Sequence, residues 1–207
     1  RVESGTKATV GVCLRDVEMD SYVNKTNKGW GYYQSNGKKG HAGPASTPYG
    51  DRFREAGSIV DAELDASAGT LRFYLNGVDQ GLAWTDLPRG AQFVGALSLF
   101  DEGDAITVLG VRQGDNAARP DMAANAAMPP AAPPPAALPS PGAAQIAPNA
   151  GREVGAGLVP APVLAVGSEV RNSGMRAEKI VKGWGNGIVL FGPVVTSGVA
   201  RWSFRVE

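Results

Sequence analysis

Cys13 and His41 are the residues best suited to nucleophilic chemistry, because a thiol nucleophile needs a nearby base to activate it. The chain contains one cysteine and one histidine. His41 lies in a glycine-rich stretch that we expect to be a loop, whereas Cys13 alternates with Val12 and Leu14 in the manner of a strand. The pattern therefore predicts a small packed cysteine rather than a catalytic thiol.

Carboxylates are the other groups with chemical potential. Asp61, Glu63 and Asp65 would suit glycoside hydrolysis only as a facing pair, and their spacing of two instead predicts the solvent face of one strand. The run Asp101-Glu-Gly-Asp104 would bind calcium weakly, since such sites need about six or more oxygen ligands, and it more simply indicates a turn. One cysteine and one histidine are too few for a zinc site. The sequence predicts no enzyme, no metal site and no cofactor.

Composition excludes several classes of partner. Twenty Lys and Arg offset twenty Asp and Glu, so the chain lacks the basic field that drives nucleic-acid binding. No apolar run reaches the roughly 18 residues that a membrane helix needs, and the first residues show no signal-peptide pattern. We expect neither nucleic-acid binding nor membrane insertion, and a single cysteine forms no internal disulfide.

A segment rich in proline and alanine divides the chain. Eleven of the fifteen prolines lie between Pro120 and Pro162, and no charged side chain occurs between Asp121 and Arg152. Proline favours extended polyproline II structure, so we expect a semi-rigid linker over residues 113–165 that packs along a surface. Residues 1–112 and 166–207 then form the folded parts.

The folded parts are predicted to be all-β, because apolar residues recur with a period of two. Asn76-Gly77 has the composition of a tight hairpin turn, and residues 101–104 are predicted to join a further hairpin. The expected fold is a sandwich of two antiparallel sheets, each with one buried and one solvated face. The runs that carry the alternation are residues 10–14, 60–64, 71–75, 93–100, 105–109, 188–191 and 201–206.

Five segments carry a family resemblance: Gly29-Trp-Gly-Tyr-Tyr33, Gly57–Asp65, Gly69–Gly77, Gly81-Leu-Ala83 and Phe93–Leu99. Together they resemble a SPRY domain, which implies a β-sandwich that binds peptides or partner proteins through loops at one end. Ser58 departs from the family pattern, in which many relatives carry an aspartate. In this family a strand like the one at Val10 follows a strand of Trp-x-Phe type, and here that pattern lies within Ser197–Glu207.

The two ends of the chain share a tripeptide: Arg1-Val2-Glu3 is identical to Arg205-Val206-Glu207. Overlaying the two copies joins the Trp202 strand directly to the strand at Val10, which is how an uninterrupted SPRY domain would read. We infer one period of a tandem repeat, with residue 205 equivalent to residue 1. A natural circular permutation is the alternative.

Trp202, Phe204 and Val206 must be buried, because each would cost about 1.5–3 kcal/mol if it remained in water. The strand that carries them can fold back beside the Val10 strand of its own chain, or complete the sandwich of a neighbouring copy head to tail. The leading prediction is therefore a non-catalytic structural repeat unit whose partners are copies of itself or adjacent repeats, assembled into filaments.

The alternative function is an adaptor that recognises a short peptide of another protein. Aromatic side chains supply contact area at low entropic cost and are favoured in binding hot spots. The candidate contact residues are Tyr22, Trp30, Tyr33, Tyr49 and Trp84, although we expect at least one ring of the Trp30 motif to be packed inside.

Asn24-Lys25-Thr26 is an N-glycosylation sequon on a predicted loop, which makes Asn24 a candidate modification site in a secreted protein. The Ala-Pro and Ser-Pro runs are similar to linkers of algal and plant surface proteins. These two features favour an extracellular or cell-surface location.

Overall fold

The computed structural model describes residues 7–20, 22–114, 163–166, 170–173, 175–182 and 187–207. Within these ranges the chain forms strands and no helix, so no described element has the form of a membrane-spanning helix. The strands are β1 (Ala8–Leu14), β2 (Gly29–Tyr33), β3 (Lys38–His41), β4 (Ser46–Pro48), β5 (Ile59–Asp65), β6 (Thr70–Leu75), β7 (Val78–Trp84), β8 (Phe93–Leu99), β9 (Ala105–Gly114), β10 (Val163–Val166), β11 (Val170–Ser173), β12 (Arg176–Lys179), β13 (Ile188–Val195) and β14 (Val199–Val206).

The strands form two sheets of seven, in which every pair is antiparallel. Sheet A has the order β10-β13-β8-β1-β2-β3-β4, and sheet B has the order β11-β12-β9-β14-β5-β6-β7. The antiparallel sandwich predicted from the sequence is confirmed.

The main core lies between the two sheets and is dominated by aromatic rings. Trp202 is fully buried and lies against Gly95 of β8. A Cβ atom at residue 95 would come within 2.5 Å of the indole Cδ1, so only glycine leaves room for this ring. The large aromatic side chains with less than 2% exposure are Tyr32, Phe53, Phe73, Phe93, Phe191, Trp202 and Phe204.

A second apolar cluster covers the outer face of sheet A. Val17 and Val23, from the connection between β1 and β2, pack there against Cys13, and the amide of Val23 donates to Ser98 Oγ at 2.7 Å. Cys13 is fully buried, and burial raises the pKa of its thiol. Because of this cover β8 is buried at every position, unlike the predicted strands with one solvated face.

Strand β14 lies in the middle of sheet B, between β5 and β9 of the same chain. Trp202, Phe204 and Val206 are at most 2% exposed. The expectation that this strand lies beside the Val10 strand is wrong, because β1 belongs to sheet A and both its edges are occupied by β2 and β8.

The predicted hairpin of β8 and β9 is also wrong, since β8 belongs to sheet A and β9 to sheet B. The turn between them is a corner organised by the buried carboxylate of Asp104. Its Oδ2 accepts hydrogen bonds from the amides of Lys7, Phe100 and Asp101 at 3.0, 3.3 and 2.6 Å. Within the described ranges no group of three or more His, Cys, Asp or Glu side chains is placed to hold a metal ion.

The predicted linker, residues 113–165, is longer than the gap between the described strands. Gln113 and Gly114 end β9, and residues 163–165 belong to β10. Residues 115–162, which include the proline-rich run, lie outside the described residues, so the extended conformation remains a prediction.

Replacing Trp202 with alanine should lower the free energy of unfolding by about 3–5 kcal/mol, because a large cavity would open between the sheets. Equilibrium unfolding in urea measures this change. Arg205→Ala is the matched control, since Arg205 belongs to the same strand but is exposed, and it should change stability by less than about 0.5 kcal/mol. A small effect of Trp202→Ala would contradict the central position of this ring.

Candidate partner-binding surface

Trp30 lies in the core rather than on the surface, so its prediction as a partner-contact residue is wrong. It is 4% exposed, and its ring stacks on the His41 ring at a centroid separation of 4.5 Å. The His41 Nδ1 atom lies 2.8 Å from the Gly29 carbonyl oxygen. Cys13 packs into the cluster on the opposite face of sheet A, so the two residues form no nucleophile–base pair.

Tyr33 points to the outer face of sheet A, because it is an odd number of residues from the inward-facing Trp30. The side-chain amide of Asn24 donates to the Tyr33 hydroxyl at 2.6 Å. Burial raises the pKa of Tyr33, and nearby Tyr22 raises it further. Tyr22 and Tyr33 are therefore separated by the sheet from Trp30.

Asn24 is fully buried, and its side-chain nitrogen also donates to the Gly43 carbonyl at 3.2 Å. N-glycosylation joins the glycan to this nitrogen, which is enclosed and hydrogen-bonded in the folded domain. The geometry therefore argues against the modification that the sequon suggests.

Tyr49 and Trp84 come together at the open edge of the sandwich, where sheet A ends with β3 and β4 and sheet B ends with β7. The ammonium group of Lys39 lies 5.6 Å from the Tyr49 ring centroid and 5.2 Å from that of Trp84. The same group donates to the Ala83 carbonyl. All three side chains are half-buried. We call Lys39, Tyr49 and Trp84 the edge patch.

The Tyr49 hydroxyl fills a break in the ladder between β6 and β7. The pairing register of these strands shifts between Arg72 and Tyr74, which leaves backbone groups without a strand partner. The amide of Phe73 donates to the Tyr49 oxygen at 3.2 Å, and the hydroxyl donates to the Gly81 carbonyl at 2.5 Å. Burial is the main cause that raises the pKa of Tyr49 to about 12.

Phe73 supports the edge patch from behind. It meets the Trp84 ring edge to face at a centroid separation of 6.5 Å and the Tyr49 ring at 6.0 Å. Tyr32 meets Tyr49 in the same manner at 5.2 Å. Rings held in this way lose little conformational entropy when a ligand binds, so the edge patch is suited to recognition.

Strand β7, which ends in Trp84, also carries exposed apolar side chains. Val78 is 63% exposed and Leu82 is 48% exposed. Strand β7 is the last strand of sheet B, so one side of its backbone has no strand partner among the described residues. Edge strands of this kind can pair with an extended segment of another protein.

An open cleft of about 510 Å³ lies at one end of the sandwich. Trp84 is the last residue of β7, and the end of the connection from β7 to β8 lines the cleft. Asp16 at its rim is 3.2 Å from the Lys28 ammonium group, so its charge is compensated. The lining residues are Leu14, Arg15, Asp16, Ala91 and Gln92.

The carboxylate of Glu63 belongs to an ion-pair network on the outer face of sheet B. Arg201 Nε lies 3.0 Å from Glu63 Oε2, and the Tyr74 hydroxyl donates to Glu63 Oε1 at 3.3 Å. The Arg201 guanidinium also lies 4.1 Å from the Tyr74 ring centroid. Glu63 is 8% exposed, so it is less accessible than the solvent-facing carboxylate expected from the sequence.

Sequence reasoning did not connect Lys39 to Tyr49 and Trp84, and it missed Phe73, which supports these side chains from behind. Lys39 comes from β3, Tyr49 follows β4 and Trp84 ends β7, so no local spacing connects them. The one sequence signal for the position of Lys39 is the alternation of side chains along β3. It puts Lys39 on the same face of sheet A as the inward-facing Tyr32 opposite it.

The fold and this surface define a class of protein: an antiparallel β-sandwich with a rigid aromatic surface suited to recognition. The family profile described as SPRY domain matches residues 1–109, just over half of the chain, and the chain belongs to the SPRY family. SPRY domains are generally protein-interaction modules rather than enzymes. No curated protein and no solved structure matches the chain. Strands β10–β14 lie beyond the matched residues.

Replacing Tyr49 with phenylalanine should lower the free energy of unfolding by about 1–3 kcal/mol, since the Phe73 amide and the Gly81 carbonyl lose their partner. Thermal or urea unfolding tests this. Thr47→Ala, on the exposed neighbouring strand β4, serves as the control and should be close to neutral. Equal stability of Tyr49→Phe and the parent chain would refute the bridging role of the hydroxyl.

Proposed function

We propose that the chain is a non-catalytic interaction module that recognises a short extended segment of a partner protein through the edge patch. The observation that supports this most is the half-buried pair of Tyr49 and Trp84, held by Phe73 and Lys39 at the open edge of the sandwich. Rigid aromatic rings at an accessible edge are typical of binding hot spots.

The chemistry of the surroundings favours a peptide as ligand. Strand β7 offers backbone donors and acceptors on its free side, and Val78 and Leu82 offer apolar contacts. An extended segment could pair with the strand while its side chains contact the rings, which combines affinity from the backbone with specificity from the side chains. The balanced net charge of the chain gives no reason to expect nucleic acid at this surface.

Binding should depend on Trp84 and not on Tyr33. Trp84→Ala should weaken recovery of partner proteins about tenfold or more, whereas Tyr33→Ala removes an aromatic ring from the opposite face of sheet A and should leave recovery unchanged. Affinity capture from an extract of the source organism, with quantification of each recovered protein, makes the comparison. Circular dichroism and thermal unfolding establish that both variants are folded.

Unchanged recovery with folded Trp84→Ala would exclude the edge patch as the contact surface. Loss of recovery with Tyr33→Ala alone would instead move the site to the outer face of sheet A.

We further propose that exchange of residues 163–207 between copies assembles the protein head to tail, as a repeat unit that can form filaments. The supporting observation is that β14, a central strand of sheet B, follows the long segment 115–162. A neighbouring copy could offer β14 the same pairing with β5 and β9. The strand-completion residues in this arrangement are Trp202, Phe204 and Val206.

The repeat or permuted order is supported by where the described ends meet. The Lys7 amide donates to Asp104 Oδ2 at 3.0 Å, and the Glu207 amide donates to the adjacent Ala105 carbonyl at 3.3 Å. A short turn would suffice to join β14 to β1 at this corner, which is the order that overlaying Arg1-Val2-Glu3 on Arg205-Val206-Glu207 requires.

Strand exchange should appear when the chain refolds from denaturant at high concentration. We expect dimers and larger species by size-exclusion chromatography with light scattering, because each β14 can then pair with another copy. A control variant carries Asp61→Cys and Ser203→Cys, which lie opposite each other in β5 and β14, so that a disulfide formed in the monomer holds β14 in its own chain. Monomers alone in the unlocked chain at every concentration would rule the exchange out.

A further inference from the structure

We propose that the edge patch is occupied by this chain's own proline-rich segment, residues 129–141, which competes with the partner for the same rings. The inference rests on the proposed function, because it names a ligand for the same surface. It adds a regulatory consequence: a partner must displace a tethered segment before it binds.

The segment has the chemistry that an aromatic surface recognises. It carries no charged side chain, and prolines occupy more than half of its positions. Proline-rich sequences favour polyproline II structure, and proline rings pack well on tyrosine and tryptophan rings. The prolines concerned are Pro129, Pro130, Pro133, Pro134, Pro135, Pro139 and Pro141.

The edge patch suits an uncharged ligand. Lys39 provides its only charge among the three side chains, and that ammonium group is already bonded to the Ala83 carbonyl and lies over two rings. The Tyr49 hydroxyl is likewise committed to Gly81 and Phe73. The part of the edge patch that remains available to a ligand is the aromatic ring surface, which suits a segment made mainly of proline and alanine.

On the N-terminal side of the segment, the described chain ends near the edge patch, at Gly114. Gly114 ends β9 in register with Val199, which pairs with Asp65, and Asp65 pairs with Thr70 of β6. Trp84 pairs with the next residue of β6, so it lies at the same end of sheet B as Gly114. Four strand spacings of about 4.8 Å place the two residues roughly 19 Å apart.

On the C-terminal side of the segment, the described chain resumes at Val163. This residue belongs to a row of paired residues across sheet A that ends beside the edge patch. Val163 is in register with Phe191 and, through β8, β1 and β2, with His41 of β3. Five strand spacings of about 4.8 Å separate Val163 from His41 by roughly 24 Å. His41 is two residues from Lys39 in the same strand.

The connecting residues are long enough to allow docking within one chain. At about 3.1 Å per residue, the chain from Gly114 to Pro129 spans up to about 46 Å, and the chain from Pro141 to Val163 up to about 68 Å. Both lengths exceed the distances to be covered. A segment tethered in this way acts at an effective concentration in the millimolar range, so it should weaken partner binding several-fold to tenfold.

The test compares the full chain with a variant in which the seven prolines of residues 129–141 are replaced by serine. The matched control replaces the four prolines of the same region that lie outside this run, Pro120, Pro148, Pro160 and Pro162, by serine. The readout is the indole N–H signal of Trp84 in nitrogen-labelled protein, assigned with Trp84→Phe. A synthetic peptide of residues 128–141 is the added ligand.

We expect the seven-proline variant to shift the Trp84 signal and the control variant to leave it unchanged. Added peptide should return the signal to its original position, and should bind the seven-proline variant about tenfold more tightly than the parent chain. An unchanged Trp84 signal in the seven-proline variant would overturn the proposal. So would a Trp84 signal in the parent chain that depends on protein concentration, because it would mean docking from another copy.

These outcomes are separable from those of the proposed function. If the seven-proline variant shows no change while Trp84→Ala still loses its partner, only the self-docking fails. If partner recovery survives Trp84→Ala, the proposed function fails whatever the peptide does.

Discussion

The contact of the Trp202 indole with Gly95 joins the two sheets, and the other features of the molecule depend on it. The ring comes from the middle of sheet B and reaches β8 in sheet A, where the absence of a side chain makes room for it. Because β14 carries Trp202, the residues beyond the proline-rich segment supply a central part of the core rather than an appendage. The spacing between the sheets, and with it the placement of Tyr49 across their open edge, follows from this packing.

Much of the fold could be predicted because apolar alternation records which side of a strand is buried. It identified β1, β5, β6 and β14, and Asn76-Gly77 forms a turn with φ of 49° and 83°. Alternation does not record which strand lies alongside. The neighbours of β14 and the separation of β8 from β9 were therefore missed, since a corner capped by Asp104 has the same local composition as a hairpin turn.

The candidate surface was less predictable, because it is assembled from distant parts of the chain. The parity of β2 could have separated Trp30 from Tyr33, since residues an odd number apart point to opposite faces. No local sequence pattern indicates that Lys39 lies beside Tyr49 and Trp84, or that the Tyr49 hydroxyl completes the hydrogen-bond ladder of β6 and β7. A ring in such a place stabilises the fold and shapes the surface at once.

Strand β14 comes late in the sequence, which affects how the protein folds during its synthesis. During synthesis β5 and β9 emerge from the ribosome long before the strand that lies between them, so sheet B stays split until β14 has been made. Contacts of such high sequence separation make folding slow, and the nascent chain exposes two apolar half-sheets meanwhile. We therefore expect chaperones that shield apolar strands to bind this chain during its synthesis.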